Sequence, residues 1–447
     1  MRAHSIHRVA GACAAVVAAT LLVTSCSSEA PAPSSSDPGT STGQITLTIG
    51  TFNNFGYDKT TDTIQGADLY TKYMAEHPNI KIEATIAATS DDARAAFNTA
   101  LGAGSGAFDI QAVDVDWMPD MVKNADKLYD LSSVVQAGNF LPWKAAQGTT
   151  PDGKVIGAGT DIGPEAICYR ADLFEKAGLP SDREAVKELL GGAGATWDKY
   201  FEVGKDFVAK SGGVAWFDSS AAIFQGMINQ VEKSYVDPDT NAVIAQDNAE
   251  VKALYNQLTA AAVGDKESAG LQQWGEDWNA GFKADKFATM LCPAWIINNI
   301  KNAAGTDFVG WDIADVFPGG GGNWGGSFLV VPAQSEHAEA AAELAAWLTA
   351  PEQQAAVFAE ASNFPSAIAA QAAPAVADKV DAFLNNAPVG KIFASRAAAV
   401  TVVPYKGSAY FDIQNAMVSA LNRVDVDKSA SAADSWNTWL EEVKALS

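Results

Sequence analysis

The chain has 447 residues, of which 48% are hydrophobic and 19% charged, so it is long enough for two globular domains rather than one core. Its formal net charge is −23, from 30 basic and 53 acidic residues. A surface this acidic repels nucleic acid and anionic lipid, and we therefore expect no nucleic-acid partner.

The first 25 residues have the composition of a bacterial export signal. Arg2 and Arg8 precede an apolar run at 9–23, which is too short for a membrane-spanning helix of about 20 residues. The segment LLVTSC ends this run and resembles a bacterial lipobox, so we expect cleavage after residue 25 and lipidation of Cys26. An ordinary signal peptide with an incidental cysteine is the alternative. Lipidation implies a protein anchored in the cell membrane at its extracellular face.

A tether is predicted between the lipid and the folded body. Residues 26–43 are rich in Ser, Pro and Gly and contain no residue large enough to anchor a core. Such a composition is typical of a disordered, flexible spacer.

The first part of the body alternates between strand and helix patterns. Strands are predicted at 44–52, 80–87 and 108–115, and helices at 68–78 and 91–103. This β-α-β-α-β order predicts a parallel sheet with helices on its faces. Ligands bind outside the carboxyl ends of the strands in such sheets, so the loops after the first and third strands are of most interest.

Two cysteines fall within the body. Cys168 and Cys292 both lie in apolar, strand-like runs. In an exported protein they could form a disulfide, and each could equally be a separate buried residue.

Motifs for enzymatic chemistry are scarce. Only His77 and His337 remain after processing, which leaves little material for a zinc site or a Ser-His-Asp triad. The sequence contains neither a GxxxxGK[ST] motif nor a strand-borne GxGxxG motif. We therefore expect no cofactor. Paired carboxylates among the many Asp and Glu residues keep a lipid-anchored glycoside hydrolase open as a second class.

One acidic segment has the spacing of a calcium loop. The segment VDPDTN at 236–241 places oxygen-bearing side chains at alternate positions. However, Ala242 and Asn248 stand where such a loop needs Gly and Glu, so we predict a hairpin turn and no metal site.

Five segments, in order along the chain, resemble those of extracellular solute-binding proteins that serve carbohydrate ABC importers, in the maltose-binding-protein-like superfamily. They are GTDIGPEAICYRADLFEKAGLP at 159–180, TWDKY at 196–200, KFATMLCPAWI at 286–296, AAELAAWLTAPEQQ at 341–354 and SNFPSAIAA at 362–370. The resemblance implies a two-lobed α/β fold of the periplasmic-binding-protein type II, with crossing hinge strands and a ligand cleft between the lobes. It implies one lobe at 44–158 with 311–360 and another at 159–310 with 361–447.

Three further segments narrow this resemblance. QQWGEDWNAGF at 272–282, the run from Cys292 to Trp295 and GGNWGGSFLVVP at 321–332 are similar to actinobacterial cellobiose- and cello-oligosaccharide-binding lipoproteins. This implies β-1,4-linked gluco-oligosaccharides, such as cellobiose and cellotriose, as ligands, with xylo-oligosaccharides or another oligosaccharide as the alternative. It also implies a binding protein without enzymatic activity that delivers its ligand to an ABC permease in the membrane. We expect a monomer.

Sugar binding calls for aromatic rings against the apolar faces of pyranose rings. Of the 12 Trp residues, several have helical spacing among Ala and Leu and are assigned to packing: Trp197, Trp347, Trp436 and Trp439. The candidates for sugar contact lie near strand ends, helix starts and glycine-rich turns: Trp117, Trp216, Trp274, Trp295 and Trp324.

Sugar hydroxyls call for carboxylate and amide partners. The candidates are Asp and Asn residues at strand ends, at the presumed hinge or beside a candidate Trp: Asn53, Asn54, Asp114, Asp116, Asp161, Asp218, Asn323 and Asn363. Turn formation and helix capping are the alternative roles for these residue types.

Overall fold

The structure, a computed structural model, describes residues 43–61 and 64–446. The predicted export signal, Cys26 and nearly all of the tether lie outside the described residues. Within the part that is described, no helix is both long and apolar enough to cross a membrane.

The described residues alternate between strands and helices along most of their length. The strands are β1 (Ile45–Phe52), β2 (Ile80–Ala87), β3 (Ile110–Asp114), β4 (Ala158–Gly159), β5 (Asp161–Ile162), β6 (Glu165–Arg170), β7 (Ala215–Phe217), β8 (Phe287–Pro293), β9 (Trp311–Ala314), β10 (Ser327–Val330) and β11 (Phe364–Pro365).

The α-helices of the described residues are α1 (Leu69–Glu76), α2 (Ser90–Ala103), α3 (Met118–Lys123), α4 (Pro142–Gln147), α5 (Ala171–Lys176), α6 (Arg183–Leu189), α7 (Trp197–Lys210), α8 (Ser220–Ile228), α9 (Ala249–Thr259), α10 (Glu276–Gly281), α11 (Ile296–Ala304), α12 (Ala338–Leu348), α13 (Pro351–Ala361), α14 (Ile368–Gln371), α15 (Pro374–Ala377), α16 (Val389–Ala398), α17 (Tyr410–Asp425) and α18 (Ala432–Leu446). Shorter helical turns lie at Val115–Trp117, Ala125–Lys127, Ala137–Asn139, Gly192–Gly194, Ala245–Asp247 and Ala260–Gly264.

The first sheet has five strands in the order β2-β1-β3-β10-β4. β1 pairs in parallel with β2 and β3, whereas β10 is antiparallel to β3 and β4. The predicted β-α-β-α-β unit is confirmed, and each of its elements ends within two residues of the predicted bounds. The bounds of helix α2 illustrate how local sequence signals set an element. Thr89 caps its first turn, Gly104 ends it at φ 69°, and an apolar stripe faces the sheet.

The second sheet has four strands in the order β7-β8-β6-β9. β7 is parallel to β8, and both β8 and β9 are antiparallel to β6. Every residue of β6 and β8 is buried, so these strands are covered on both faces and are central to this part of the molecule.

The chain passes between the two sheets at three crossing segments. The first runs from β4 to β6, the second from β9 to β10, and the third includes β11, which pairs antiparallel with β5. The molecule thus has two lobes, one around each sheet. The predicted lobe boundary at residue 311 is too early, because β9 pairs with β6 in the second sheet and the chain returns to the first sheet only after Ala314.

A disulfide joins the two central strands of the second sheet. Cys168 in β6 is bonded to Cys292 in β8, with their Cα atoms 5.4 Å apart. Both residues are fully buried. The bond closes a loop across a sequence separation of 124 residues.

We expect the disulfide to stabilise the folded protein by about 2–5 kcal/mol, because it restricts a long loop in the unfolded chain. A Cys168→Ala/Cys292→Ala variant should therefore unfold at a lower urea concentration than the oxidised wild type. The reduced wild type, measured in excess dithiothreitol, should approach the variant. Equal unfolding midpoints for the oxidised wild type and the variant would contradict a stabilising bond.

Candidate ligand-binding site

The first and second crossing segments lie side by side. Pro164 faces Asn323, the Glu165 N–H donates to the Gly322 carbonyl (3.0 Å), and the Trp324 N–H donates to the Gly163 carbonyl (2.8 Å). A Cβ added at Gly163 would lie 1.7 Å from the Trp324 carbonyl oxygen. The close approach of the two segments therefore requires glycine at position 163.

The Asn323 side chain ties the two segments together. Its Oδ1 accepts a hydrogen bond from the Gly163 N–H (2.9 Å), and its Nδ2 donates to the Gly325 carbonyl (3.0 Å). The amide thus holds the backbone of the first crossing segment at Gly163 and that of the second at Gly325. The structure gives this predicted ligand contact a clear structural role.

Three candidate tryptophans come together beside these segments, and we call Trp274, Trp295 and Trp324 the tryptophan shelf. The Trp295 indole N–H donates to the Trp324 carbonyl (3.1 Å), and the two rings meet edge to face at 5.5 Å. Trp274 stacks on Trp295 with ring centroids 6.0 Å apart and is 48% exposed. Trp295 and Trp324 are half-buried. Partly exposed indole faces of this kind can cover the apolar face of a sugar ring.

Trp274 does not share a helix face with Trp278, although the two residues are four apart in the sequence. Helix α10 begins only at Glu276, and Trp274 precedes it with φ 70°. Trp278 is fully buried, and its indole N–H donates to Asp218 Oδ2 (2.7 Å). The turn before the helix directs Trp274 toward Trp295.

Two of the predicted sugar-contacting tryptophans are core residues. Trp117 is 1% exposed and packs against Phe52 and Phe97. Trp216 is fully buried in an aromatic cluster of the second lobe, formed with Phe174, Tyr200 and Phe207. Neither ring has a face free for a ligand, so the prediction for these two residues was wrong.

A cluster of buried polar side chains lies next to the shelf, and we call Glu165, Lys406, Tyr410 and Gln414 the polar floor. Glu165 is fully buried, and neither carboxyl oxygen has a hydrogen-bond partner among the described residues. A Cβ at the neighbouring Gly322 would lie 2.7 Å from Glu165 Oε2. Burial raises the pKa of Glu165 well above its ordinary value, and Lys406 opposes this effect.

Helix α17 contributes the other side of the polar floor. Gln414 accepts a hydrogen bond from the Tyr235 hydroxyl (2.7 Å) and donates to Gln225 Oε1 (2.6 Å). The buried Tyr410 hydroxyl lies beside Gln225 but has no partner at hydrogen-bonding geometry among the described residues. Burial raises the pKa of Tyr410, so its hydroxyl keeps its proton and remains available as a donor.

The first lobe presents charged groups to the polar floor. Asp116 forms an ion pair with Lys406, and Asp114 Oδ1 accepts a hydrogen bond from the Asp116 N–H (2.8 Å). Burial, reinforced by the charge of Asp116, raises the pKa of Asp114 to about 7. Both predicted carboxylates therefore lie at the end of β3, where the parallel sheet was expected to place them.

Lys144 is a buried amine at the hinge that the sequence did not single out. It is 1% exposed, its Nζ lies 3.7 Å from the centre of the Phe328 ring, and the described residues offer this nitrogen no hydrogen-bond partner. Burial lowers the pKa of Lys144 to about 7, while Asp161 and Asp114 oppose that shift.

The predicted polar candidates around the third crossing hold the backbone of the hinge. Asp161 Oδ1 accepts hydrogen bonds from the Thr160 hydroxyl (2.8 Å) and the Ser327 N–H (3.1 Å). Asn363 Nδ2 donates to the Asn54 carbonyl (3.3 Å). Asp161 and Asn363 also line a cavity of about 10 Å³, which has room for about one water molecule and none for a sugar.

Asn53 and Asn54 form the turn after β1. Asn54 Nδ2 donates to the Gln65 carbonyl (2.7 Å), and its Oδ1 accepts from the Gly56 N–H (2.8 Å). Asn53 is exposed with φ 52°, a left-handed conformation that asparagine tolerates. These contacts fit the turn-forming role that the sequence left open for both residues.

Asp218 lies behind the shelf rather than on its surface. The side chain is fully buried and accepts the Trp278 indole N–H, and Trp278 in turn packs against Trp274 at 5.0 Å. Burial raises the pKa of Asp218 to about 7, although the hydrogen bond from Trp278 opposes this. Asp218 thus supports the shelf through Trp278.

Sequence reasoning missed Glu165, Lys144, Lys406 and Tyr410. A signal was present for Glu165, which is a charged residue at the start of an otherwise apolar strand pattern, PEAICY. Lys406 lies in an irregular segment between α16 and α17, where no local pattern marks it.

The described residues contain no group of three or more His, Cys, Asp or Glu side chains placed to hold a metal ion. The hairpin predicted at 236–241 is confirmed, because Val236 pairs with Val243 and Asp237 Oδ1 accepts the N–H groups of Asp239 and Thr240.

The family model for the bacterial extracellular solute-binding proteins matches residues 68–383. The chain belongs to this family. Its members are binding proteins, which accords with partly exposed rings beside buried hydrogen-bonding groups that have no partner among the described residues.

Three curated solute-binding proteins are similar to this chain. The arabinooligosaccharide-binding protein of Bacillus subtilis (strain 168) is 25% identical over 350 residues, 75% of this chain and 74% of the relative. The arabinooligosaccharide-binding protein of Halalkalibacterium halodurans is 25% identical over 263 residues, 56% of each chain. The lactose-binding protein of Rhizobium radiobacter is 24% identical over 246 residues, 52% of this chain and 53% of the relative. The last two matches therefore span little more than half of the relatives' lengths.

Solved structures of solute-binding proteins share the two-lobed fold. A crystal structure of an extracellular solute-binding protein family 1 member is 44% identical, with a TM-score of 0.79 over 90% of this chain and 99% of that chain. An ABC transporter associated binding protein from B. animalis subsp. lactis Bl-04, in complex with β-1,6-galactobiose, is 19% identical with a TM-score of 0.74 over 89% and 96%. Maltose-bound MalE3 of T. maritima is 17% identical with a TM-score of 0.68 over 90% and 100%. The last two likenesses show the fold alone.

The buried carboxyl of Asp218 should make stability depend on pH. Its pKa is about 7 in the folded protein and about 4 when unfolded, so the folded state binds the proton more tightly. The contribution of Asp218 to the free energy of unfolding should therefore fall as the pH rises from about 4 to 7, by up to about 4 kcal/mol, and change little above that.

Asp218→Asn keeps an acceptor for Trp278 and removes the ionisation, so its urea-unfolding free energy should lose this part of the pH dependence. Asp239→Asn, at an exposed ion pair, is the matched control and should follow the wild type. A variant whose pH profile is parallel to that of the wild type would show that Asp218 does not carry the effect.

Proposed function

We propose that this protein captures oligosaccharides as the substrate-binding component of an ABC importer. The observation that carries the proposal is the tryptophan shelf next to buried polar groups that have no partner among the described residues. Family membership supports binding without chemical conversion. Three curated relatives named for arabino-oligosaccharide or lactose binding support a sugar as the class of ligand.

The energetics of such a site suit a transport receptor. Aromatic stacking contributes roughly 0.5–1.5 kcal/mol beyond the area buried, and a hydrogen bond to a charged group contributes about 1.5–3 kcal/mol. Micromolar affinity requires about 8 kcal/mol, which a few contacts of each kind supply.

The exposure of the residues suggests how an oligosaccharide lies in the cleft. Glu165 pairs with Gly322 and Gly163 pairs with Trp324, two residues apart, which is about 6.5 Å along extended chains. Glu165 and Tyr410 are fully buried, whereas Trp274 is 48% exposed. In our proposal, one end of the chain therefore occupies the polar floor and the other end extends across the shelf toward solvent.

We further propose β-1,4-linked gluco-oligosaccharides, such as cellobiose and cellotriose, as the ligands. The support is the resemblance of the segments at 272–282, 292–295 and 321–332 to cello-oligosaccharide-binding lipoproteins. Each of these segments contains one tryptophan of the shelf: Trp274, Trp295 and Trp324, in that order. The relatives named for arabino-oligosaccharides make those sugars the first alternative, with xylo-oligosaccharides next.

The proposal includes the setting of the protein. The lobes are 44–158 with about 315–360 and 159–314 with 361–447, and they close around the ligand because it binds both. A monomer, anchored through lipid on Cys26 outside the cell membrane, delivers the ligand to a membrane permease.

Calorimetric titration tests the function and the ligand together. The mature domain from Ser27 is titrated with cellobiose, cellotriose, xylobiose, arabinobiose, lactose and maltose, and the sugars are then analysed by chromatography. We expect micromolar or tighter binding of the β-1,4-glucans, recovered intact. Binding of another sugar alone would refute the proposed ligand but keep the function. Cleavage of a sugar would show a hydrolase, and a lack of binding to every sugar would refute the function.

The shelf should contribute measurably to affinity. Trp324→Ala removes a ring that the proposed ligand contacts, so its affinity for cellotriose should fall about tenfold or more. The matched control is Trp347→Ala, which removes a half-buried indole of α12 that packs on Tyr73 of α1. This control should bind as the wild type does. Unchanged affinity in Trp324→Ala, with the fold intact by circular dichroism, would remove the shelf from the site.

A further inference from the structure

An arginine of the first lobe forms an ion pair with the second lobe. Arg94 lies in α2, and its Nη1 is 2.9 Å from Asp412 Oδ1 in α17. Its Nη2 is 2.8 Å from Asp120 Oδ2 of its own lobe. The guanidinium also lies 4.3 Å from the centre of the Phe411 ring. The Arg94 side chain is 15% exposed and that of Asp412 46%, so salt screens this pair in part.

Helix α17 belongs firmly to the second lobe. Its residues hydrogen-bond to Gln225 of α8 and to Tyr235, and the Trp439 indole of α18 lies 3.5 Å from the Ile413 carbonyl. The Arg94–Asp412 pair therefore spans the two lobes and cannot persist when they move apart.

A second ion pair spans the lobes close by. Lys406 and Asp116 have side chains that are 7% and 17% exposed. The segment that carries Lys406 is held to the second lobe, because the Tyr405 N–H donates to the Glu232 carbonyl (3.2 Å) and a Cβ at Gly407 would lie 2.5 Å from Val236. Asn415 Nδ2 adds a longer contact to Asp91 Oδ2 (3.4 Å).

The Arg94–Asp412 pair can break and form again at a small cost in free energy. Arg94 retains Asp120 when the lobes separate, so its side chain stays oriented for the pair to form again. Asp412 is 46% exposed and is readily hydrated after separation. The cost of removing Asp412 from water on closure is therefore small, and the pair can stabilise the closed arrangement.

We propose that Arg94 and Asp412, together with Lys406 and Asp116, form an interlobe clasp that slows lobe opening and so sets how long a bound ligand is held. The clasp rests on the proposed function only for the identity of the ligand. Arg94 and Asp412 are positioning residues, because they act through the distance between the lobes and, among the described residues, make no hydrogen bond to the shelf or the polar floor.

A double-mutant cycle tests the clasp on the mature domain, using Arg94→Gln, Asp412→Asn and their combination. The matched control is Arg423→Gln, which breaks an ion pair with Glu442 inside the second lobe. Dissociation of cellotriose is followed by stopped-flow tryptophan fluorescence at low and high salt. The distance between the lobes is measured without sugar from spin labels at the exposed positions Asn98 and Asn437.

We expect each single variant to raise the dissociation rate about fivefold, with a smaller change in the association rate, and the double variant to add little more. Salt should speed dissociation from the wild type and not from the double variant. The label distances should widen in the cycle variants and not in Arg423→Gln. Unchanged dissociation rates with unchanged distances, or effects that simply add, would overturn the clasp. If cellotriose does not bind, the proposed ligand fails, while the label distances still decide whether the clasp exists.

Discussion

The close contact between two crossing segments is the constraint on which the site depends. With no side chain at Gly163, the Trp324 carbonyl can approach, and that same oxygen accepts the Trp295 indole N–H. The next pair along these segments places Gly322 against Glu165, so the buried carboxyl and the aromatic shelf arise from one piece of backbone geometry. Because these segments also join the lobes, any hinge motion is transmitted directly to groups that would touch a ligand.

Burial favours the uncharged forms of several acidic and basic side chains around the polar floor and the hinge. The chain as a whole carries −23, yet burial raises the pKa of Asp114 to about 7, raises that of Glu165 well above its ordinary value, and lowers that of Lys144 to about 7. Burial therefore disfavours the charged form of Glu165, and near neutral pH Asp114 and Lys144 are each partly neutral. Groups in this state can donate and accept hydrogen bonds without imposing a large net charge. Such a group of side chains suits an uncharged ligand, as in the proposed function, better than an ion.

The secondary structure of the first strands and helices could be predicted well from the sequence. The residues that form the candidate site could be predicted only in part. The first strands and helices follow from hydrophobic periodicity, which is a local property. Trp117 shows the limit: a ring after a strand can turn into the core or out of it, and the local pattern is the same in both cases. Glu165, Lys406 and Tyr410 converge from positions up to 245 residues apart, and no spacing rule links them. The resemblance located the segments that carry the shelf, but distances between those segments come only from the fold.

The disulfide cross-links the two strands that position the second-lobe part of the site. Glu165 lies directly opposite Pro293 in the β6–β8 pair, and the bond between Cys168 and Cys292 holds these two strands together. Trp295 follows two residues after Pro293, so the buried carboxyl and part of the shelf lie on or directly after the disulfide-linked strand pair of the second lobe. The first lobe supplies Asp116, and it can reach Lys406 only when the lobes are together. A ligand surface that is rigid on one side and completed by closure on the other loses less conformational entropy on binding than one assembled from two mobile halves.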